Sequence, residues 1–281
     1  MNITEPTVLY NLDEAVYHAD QLCPEPSLSS TMAKTILEPG GPARLRSALD
    51  SPRESNPNFD FGSAAHEKIL GRGQPAVAID GNRNTKAVKE EIAAAEADGF
   101  LVLKSHEVAA IDAMAEAILQ HPIAADLLTA GKGNPEVSMF GVDEETGRWM
   151  RGRLDFLHSR KLIVDYKTTA SANPRDFERS SWSFGYHVQA AHYQYNLARQ
   201  LDLVDDDCAY VLIAQEKKAP FLSVVYQFDP DLLDYGRERA REAIDLWDRC
   251  LTLDEWPGID PIIHTLSIPR WAVNDTEKEN Q

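Results

Sequence analysis

Long hydrophobic runs are missing from this sequence of 281 residues. No stretch approaches the roughly 18 consecutive apolar residues that a membrane-spanning helix requires, so we expect no transmembrane segment. The N-terminal segment, MNITEPTVLYNLDEAVYHAD, has neither the basic region nor the apolar region of a secretory signal. These absences predict a protein that stays in the cytoplasm of the cell that makes it.

Cysteine is scarce as well. The three cysteines, Cys23, Cys208 and Cys250, lie far apart, and no CxxC pair occurs. Structural zinc sites need such closely spaced ligands, and a four-cysteine iron–sulfur cluster needs a fourth cysteine. We therefore expect free thiols and no iron–sulfur cluster.

Positive charge is in short supply. The chain has 28 Lys and Arg against 45 Asp and Glu, which gives a net charge of −17. This balance argues against a protein that coats DNA non-specifically, because that mode of binding depends on neutralising phosphates. It is compatible with a local basic groove, and a site that collects a divalent cation needs carboxylates.

Apolar spacing predicts helices in the first half of the chain and strands mostly in the second. Helices are indicated at 59–70, 84–97, 104–120, 182–201 and 229–251. Strands are indicated at 136–142, 149–157, 162–167, 208–214 and 221–228. Short turns join the first three strands into an antiparallel meander. The expected fold class is α/β: a mixed central sheet, made of the meander and two further strands, flanked by helices.

The segment RGRLDFLHSRKLIVDYK, residues 151–167, carries the chemistry. Asp165 and Lys167 are two residues apart on one strand and so point to the same face, while Asp155 lies on the preceding strand. Carboxylate oxygens, with the Tyr166 backbone carbonyl, suit Mg²⁺, with Mn²⁺ as an alternative. A bound cation polarises phosphate and acidifies water. The segment therefore predicts a phosphodiester-hydrolysing site.

A D-x-K triplet on a strand is also common on a solvated sheet face. Here Ile163 and Val164 mark a buried strand, and Leu154 and Phe156 surround Asp155 in the same way. Charged groups in such places are costly unless they are paired or bind a metal. The apolar surroundings favour the metal site over the solvated face.

Several motifs together resemble the RecE-like exonucleases. They are GRLD at 152–155, DYKTT at 165–169 and YHVQAAHY at 186–193, with upstream YHAD at 17–20, LSS at 28–30 and FGSAAH at 61–66. These exonucleases, of the exonuclease VIII type, are phage-type 5′→3′ double-strand enzymes related to the RecB nuclease domain. The resemblance spans roughly residues 15–250. It implies a PD-(D/E)XK, restriction-endonuclease-like core with helical N-terminal additions.

The resemblance also implies roles for single residues. Asp155 and Asp165 would be metal ligands and Lys167 the catalytic lysine, with His66 and Glu136 as further metal ligands. Gln189 and Tyr193 match a Q-x-x-x-Y helix motif that steadies the active site or touches DNA. For His66, Gln189, Tyr193 and Glu136, ordinary packing or a solvated edge is the alternative.

Contacts to DNA are expected from a further set of side chains. Arg151 and Arg153 alternate with Asp155 and share its face, where they would line the DNA path or pair with surface acids. Thr168 follows the catalytic lysine as a hydrogen-bond donor to phosphate, or is only a polar residue at a strand end. The full expected set of DNA contacts is Arg151, Arg153, Thr168, Gln189 and Tyr193.

The expected organisation has three parts. Residues 1–58 would be an irregular and helical extension packed on the core, residues 59–270 the nuclease domain, and residues 271–281 a disordered tail. The resemblance implies a Mg²⁺-dependent exonuclease on double-stranded DNA ends, a RecT-type single-strand annealing partner and a ring-shaped homo-oligomer, in a phage or prophage. Two alternatives stay open: a structure-specific or single-strand nuclease of the same fold, and a non-catalytic DNA-binding or scaffold protein.

Overall fold

A computed structural model describes the chain over residues 2–51, 57–129, 131–159, 162–198, 200–203 and 208–267. The strands are β1 (Thr7–Leu9), β2 (Leu28–Ser29), β3 (Ala76–Ala78), β4 (Leu101–Leu103), β5 (Asn134–Val142), β6 (Trp149–Ser159), β7 (Leu162–Thr169), β8 (Ala209–Glu216) and β9 (Ser223–Gln227). The α-helices are α1 (Glu14–Ala19), α2 (Ser30–Ile36), α3 (Gly41–Asp50), α4 (Pro57–Leu70), α5 (Lys86–Ala97), α6 (Ser105–Gln120), α7 (Pro122–Leu127), α8 (Pro174–Ser183), α9 (Tyr186–Ala191) and α10 (Pro230–Leu253). The tail predicted at 271–281 lies outside the described residues.

The main sheet runs in the order β1-β5-β6-β7-β8-β9, and β2 pairs with β6. Strands β5, β6 and β7 form the predicted antiparallel meander. The long crossover through α8 and α9 makes β8 parallel to β7, because a parallel pair needs such a connection. The predicted α/β fold class with a mixed central sheet is therefore confirmed.

Two apolar cores lie on the two faces of the sheet. Helices α2, α9 and α10 cover one face with residues such as Met32, Val188, Ile244 and Trp247, which pack with Leu154 and Ile163. Helices α4 and α6 cover the other face with Ala64, Ala65, Ile111 and Met114, which pack with Val164 and Tyr166. Because side chains alternate along β7, Asp165 and Lys167 share the face of Ile163.

The single helix predicted at 182–201 is wrong. Helix α8 begins much earlier, with the Asn173 side chain capping it and Pro174 at its first position. It ends at Ser183, and Gly185 follows two residues later with a φ of +63°, a left-handed value that suits glycine just past a helix C-terminus. Helix α9 follows and continues as a π-helical segment, His192–Ala198.

The N-terminal segment is more regular than its prolines suggest. Strand β1 pairs antiparallel with β5, and β2 pairs parallel with β6 at Met150 and Arg151. Residues assigned to an N-terminal extension thus contribute two strands to the main sheet, and the boundary at residue 58 stays a prediction. Among the described residues, no helix has the length and apolar character that crossing a bilayer requires.

Candidate active site

The chemistry-bearing residues meet where β6 and β7 separate, which we call the fork. Among the described residues, pairing between these strands runs from Ser159–Leu162 to Phe156–Val164 and does not reach Asp155 and Asp165. Past that point the Tyr166 N–H donates to Asp155 Oδ2 at 2.8 Å, so a carboxylate takes the place of a backbone partner. The fork therefore positions the Asp155 side chain between two strands of the meander.

Strand register aligns three acidic residues across the sheet. Pairs Pro135–Phe156 and Val137–Leu154 put Glu136 opposite Asp155. The Phe156–Val164 pair puts Asp165 next to Asp155 on the other side. Cross-strand neighbours of this kind have closely spaced side chains. Like charges in such a row are unfavourable unless cations accompany them.

Lys167 is the main cation of this row. Its Nζ lies 2.6 Å from Asp165 Oδ2 and 3.7 Å from Asp155 Oδ2. Burial alone would lower the Lys167 pKa, but the charges of Asp155 and Asp165 outweigh burial and raise it. The amine is therefore held as an ammonium group, which stabilises negative charge and does not act as a base.

Asp165 is fixed from both sides. Gln189 Nε2 donates to its Oδ1 at 2.8 Å, and Lys167 lies at its Oδ2. The side chain is 1% exposed, and burial together with the Asp155 charge raises its pKa to about 6. Gln189 thus holds the Asp165 carboxylate in place, while its expected roles in steadying an active site or touching DNA stay predictions.

Glu136 sits in a strained backbone conformation. Its φ is +53°, a left-handed value that a residue with a Cβ rarely adopts and that costs about 1–3 kcal/mol. Its carboxylate forms an ion pair with Arg153. Burial and the neighbouring Asp155 raise its pKa to about 7. Such strain commonly accompanies functional positions, where the surrounding structure holds the side chain in place.

His66 reaches the fork from α4 on the other face of the sheet. Its Nδ1 lies 3.6 Å from Asp155 Oδ2, and its ring packs edge-on against Tyr166 at 5.1 Å. Burial and the Lys167 charge lower its pKa to about 4, against an opposing hydrogen bond with the Tyr166 backbone. The imidazole is therefore neutral near pH 7, the form that binds metals.

The donor set fits a divalent cation. His66, Glu136 and Asp155 each offer one ligand atom, and these atoms lie within 4.8 Å of one another. Two carboxylates and an imidazole suit Mn²⁺, and the carboxylates suit Mg²⁺. The Tyr166 carbonyl lies on the same side of its strand as the N–H that meets Asp155. Asp165 stands beside this group with both oxygens engaged by Lys167 and Gln189.

Arg151, expected at the DNA path, is instead buried. It forms an ion pair with Asp20 at 2.5 Å and donates to the Ser27 carbonyl and hydroxyl. Arg153 is similarly engaged with Glu136, the Leu12 carbonyl and Ser138. Both guanidinium groups hold the N-terminal segment and Glu136 in place, and this arrangement does not support direct phosphate contact by Arg151.

Tyr193 is buried and Thr168 is half-buried. The Tyr193 hydroxyl accepts a hydrogen bond from Ser30 Oγ at 3.3 Å. Its ring covers Gly152 so closely that a Cβ there would stand 2.8 Å from the ring. Thr168 is half-buried, with Oγ1 beside Gly62 of α4. In this structure Tyr193 packs the π-helical segment onto β6, and its DNA contact stays a prediction, as does that of Thr168.

Lys34 is a site residue that the sequence reading missed. Its Nζ donates to Gln189 Oε1 at 3.3 Å and lies 5.8 Å from the Tyr186 ring centroid. Burial and the Lys167 charge lower its pKa to about 8. Because an ammonium group can bond only the amide oxygen, Lys34 turns the Gln189 NH₂ group toward Asp165. A lone lysine in a short helix gives no sequence signal for this role.

An open cleft of about 400 Å³ leads to the fork. It is lined by the N-terminal helices and the meander, including Tyr17, Ser30, Glu136, Arg153 and Asp155. Asp155 and Lys167 keep 15% and 19% of their side chains exposed. The reactive groups are thus enclosed but reachable from solvent, as a hydrolytic site requires.

Comparisons with known proteins agree with this geometry. Residues 29–260 match the family described as a PDDEXK-like domain of unknown function (DUF3799). No curated protein matches the chain. Of the solved structures, a presumed exonuclease from Eubacterium rectale is similar, with a TM-score of 0.63 and 15% identity over 95% of this chain and 98% of that one.

A second solved structure is a phage-related exonuclease from Haemophilus somnus 129PT. It has 15% identity over 82% of this chain and 96% of that one, but its TM-score of 0.32 is too low to carry an argument. The Eubacterium likeness shows a shared fold. With the family match over most of its length, the chain belongs to the PDDEXK-like family DUF3799 and has the fold of the PD-(D/E)XK nuclease superfamily.

Proposed function

We propose that this protein is a divalent-metal-dependent DNA nuclease that hydrolyses phosphodiester bonds. The observation that carries the proposal is the convergence of Asp155, Asp165 and Lys167 in the fork, with His66 and Glu136 beside them. Three carboxylates, a neutral imidazole and an ammonium group match the needs of phosphate hydrolysis. A metal-free DNA-binding scaffold would have no use for so many buried charges.

Asp155, Glu136 and His66 would hold the cation, with the Tyr166 carbonyl and Asp165 as neighbouring oxygen donors. Mg²⁺ or Mn²⁺ there would polarise a phosphate oxygen and lower the pKa of bound water. Lys167, kept protonated by its two acidic neighbours, stabilises the charge that builds on the phosphate. Gln189 and Lys34 keep Asp165 oriented toward Lys167.

The finer assignment is an exonuclease of the RecE-like type that degrades one strand from duplex ends, 5′→3′, and leaves single-stranded tails. The motif resemblance supports it, and so does the shared fold with a solved protein described as a presumed exonuclease. On the same basis we propose a RecT-type annealing partner and a ring-shaped homo-oligomer. Recombination in a phage or prophage would be the setting.

Digestion of end-labelled linear duplex with and without Mg²⁺ tests the activity. We expect metal-dependent release of nucleotides from the 5′-labelled strand and intact covalently closed circles. Asp165→Asn should abolish release. The matched control is Asp112→Asn, an aspartate that pairs with Lys68 at 2.7 Å on the surface and should leave activity unchanged.

Other outcomes separate the alternatives. Cleavage of closed circles would replace the exonuclease assignment with an endonuclease, and release from single strands alone would make it a single-strand nuclease. Absence of any metal-dependent cleavage in the purified wild type, with DNA binding retained, would sink the nuclease proposal and leave a binding or scaffold protein.

A further inference from the structure

An exposed group of aromatic side chains lies where α8 meets α9, outside the fork. We call Trp182, Phe184, Tyr186 and Tyr235 the aromatic strip. Trp182 is 56% exposed, Phe184 62% and Tyr235 39%. Trp182 stacks on Tyr235 and Phe184 stacks on the half-buried Tyr186, so these rings form two neighbouring pairs. Single exposed apolar residues are ordinary, whereas grouped ones mark a binding surface.

The Phe184–Tyr186 pair of the aromatic strip is continuous with the candidate active site. The Lys167 ammonium lies 5.7 Å from the Tyr186 ring centroid. Phe184 stacks on Tyr186 with centroids 5.8 Å apart and planes inclined by 29°. A chain of two rings therefore leads from the catalytic lysine to the surface.

Trp182 presents one open face. It stacks on His187 at 5.0 Å and on Tyr235 at 5.4 Å, with planes inclined by 22° and 16°. The ring centroids of His187 and Tyr235 are only 5.5 Å apart. Rings stacked on opposite faces of the indole would be farther apart, so both rings lie on the same face of Trp182. The exposed part of Trp182 is therefore its other face, which is free to stack on a planar group.

Two arginines share the surface of α8 with this indole. Arg175, Arg179 and Trp182 follow at spacings of four and three residues, which places them along one side of the helix. All three line a groove of about 1200 Å³ between α8, β9 and the start of α10. Glu178, Asp229 and Asp231 also line it, so ring stacking rather than net charge would dominate binding.

We propose that the aromatic strip and the adjoining α8 groove bind single-stranded DNA that is continuous with the strand in the fork. Bases would stack on Phe184 and on the open face of Trp182, and Arg175 and Arg179 would contact phosphates. Every base has a π-face, so such a platform binds without sequence preference. The inference rests on the proposed nuclease function for its biological meaning, but the binding itself does not require cleavage.

Binding of a fluorescent oligothymidylate in EDTA, followed by anisotropy, tests the proposal. Trp182→Ala and Phe184→Ala should each weaken affinity about tenfold, because each removes one stacking partner. Trp182→Phe should retain most of the affinity, and circular dichroism melts would show that the variants are folded. Phe100→Ala, at an aromatic 38% exposed elsewhere, is the matched control and should bind like the wild type.

The outcomes separate this inference from the proposed function. Unchanged affinity in folded Trp182→Ala and Phe184→Ala overturns the single-strand platform, whatever the cleavage assay shows. A change in sedimentation without a change in DNA affinity also overturns it and makes the strip a protein contact. Loss of affinity in a protein that cleaves no DNA supports the platform while the nuclease proposal fails.

Discussion

The two halves of the fork are built differently. On one side, Asp155, Glu136 and His66 place three ligand atoms within 4.8 Å of one another, and Arg153 is the cation that pairs with Glu136. On the other side, Lys167 and Gln189 occupy both oxygens of Asp165. The first half offers ligand atoms to a cation, whereas in the second half the Asp165 carboxylate is already paired with side chains of the protein.

This difference separates two tasks that a hydrolytic site must combine. A half with carboxylate and imidazole ligand atoms close together suits an external cation, and burial raises the pKa of both its carboxyl groups. A half whose donors are already engaged is preorganised and needs no rearrangement when charge develops on a phosphate. Changes in the two halves should therefore have separable effects.

The largest effect is expected in the second half of the fork. Lys167→Met removes the ammonium group and should lower kcat about a hundredfold to a thousandfold, the usual cost of losing a preorganised charge. The Mn²⁺ concentration that gives half-maximal activity should change much less. Steady-state cleavage at several metal concentrations measures both, and a pure shift in metal dependence would contradict the division between the halves.

The other half should show the reverse pattern. Asp155→Asn replaces a charged ligand group with a neutral amide, and we expect it to weaken metal affinity by at least about tenfold. Calorimetric titration with Mn²⁺ measures this without cleavage. His66→Gln should act in the same direction, and an unchanged titration for His66→Gln would return that residue to a packing role.

A smaller effect is expected at Lys34, which acts on Asp165 only through Gln189. Lys34→Met frees the Gln189 amide, which then no longer presents its NH₂ group reliably, and kcat should fall about tenfold with metal affinity unchanged. Lys68→Met, a surface lysine paired with Asp112, is the matched control. If Lys34→Met leaves kcat at the wild-type value, Gln189 is oriented by other contacts.

The smallest effect is a shift in thermal stability. Burial raises the pKa of Asp165 to about 6 and of Glu136 to about 7, so the folded state holds these protons more tightly than the unfolded state. That stabilisation is present at low pH and is lost as pH rises through about 7. A bound cation compensates the negative charge of the deprotonated carboxylates. At a hundred times its Kd it would raise the free energy of unfolding by about 2.7 kcal/mol.

Saturating Mn²⁺ should therefore raise Tm by several degrees at pH 8 and by less at pH 5, where protons compete for the carboxylates. Calorimetric melts at the two pH values measure the difference. Equal shifts at both would show that the cation binds away from these carboxylates, and Asp155→Asn should reduce the shift at pH 8.

Local patterns were enough to predict the centre of the site. Alternation along β7 places Asp165 and Lys167 on one face, and a tight meander brings Asp155 to them. Sequence separation explains what was missed. Arg151 pairs with Asp20, which is the alternative that was given beside a DNA contact. Lys34 was missed, and it acts through Gln189, which lies 155 positions away. No periodicity encodes such distant pairs.

The prediction of a single helix at 182–201 was wrong for another reason. Apolar residues such as Phe184 and Tyr186 lie on both sides of Gly185, whose left-handed φ marks the break. Asn173 and Pro174 do carry a start signal for α8. Trp182, Phe184 and Tyr186 of the aromatic strip lie at this break. The wrong helix boundary therefore also left this surface unpredicted.

Strand β1 has a practical consequence for handling this protein. It covers the outer side of β5, and the Leu12 carbonyl just after it holds Arg153. Shortening the chain past residue 12 would bare an unpaired strand, which invites edge-to-edge aggregation. It would also remove a hydrogen-bond acceptor of Arg153, the ion-pair partner of Glu136. Expression variants trimmed at this end should thus lose solubility and metal response together.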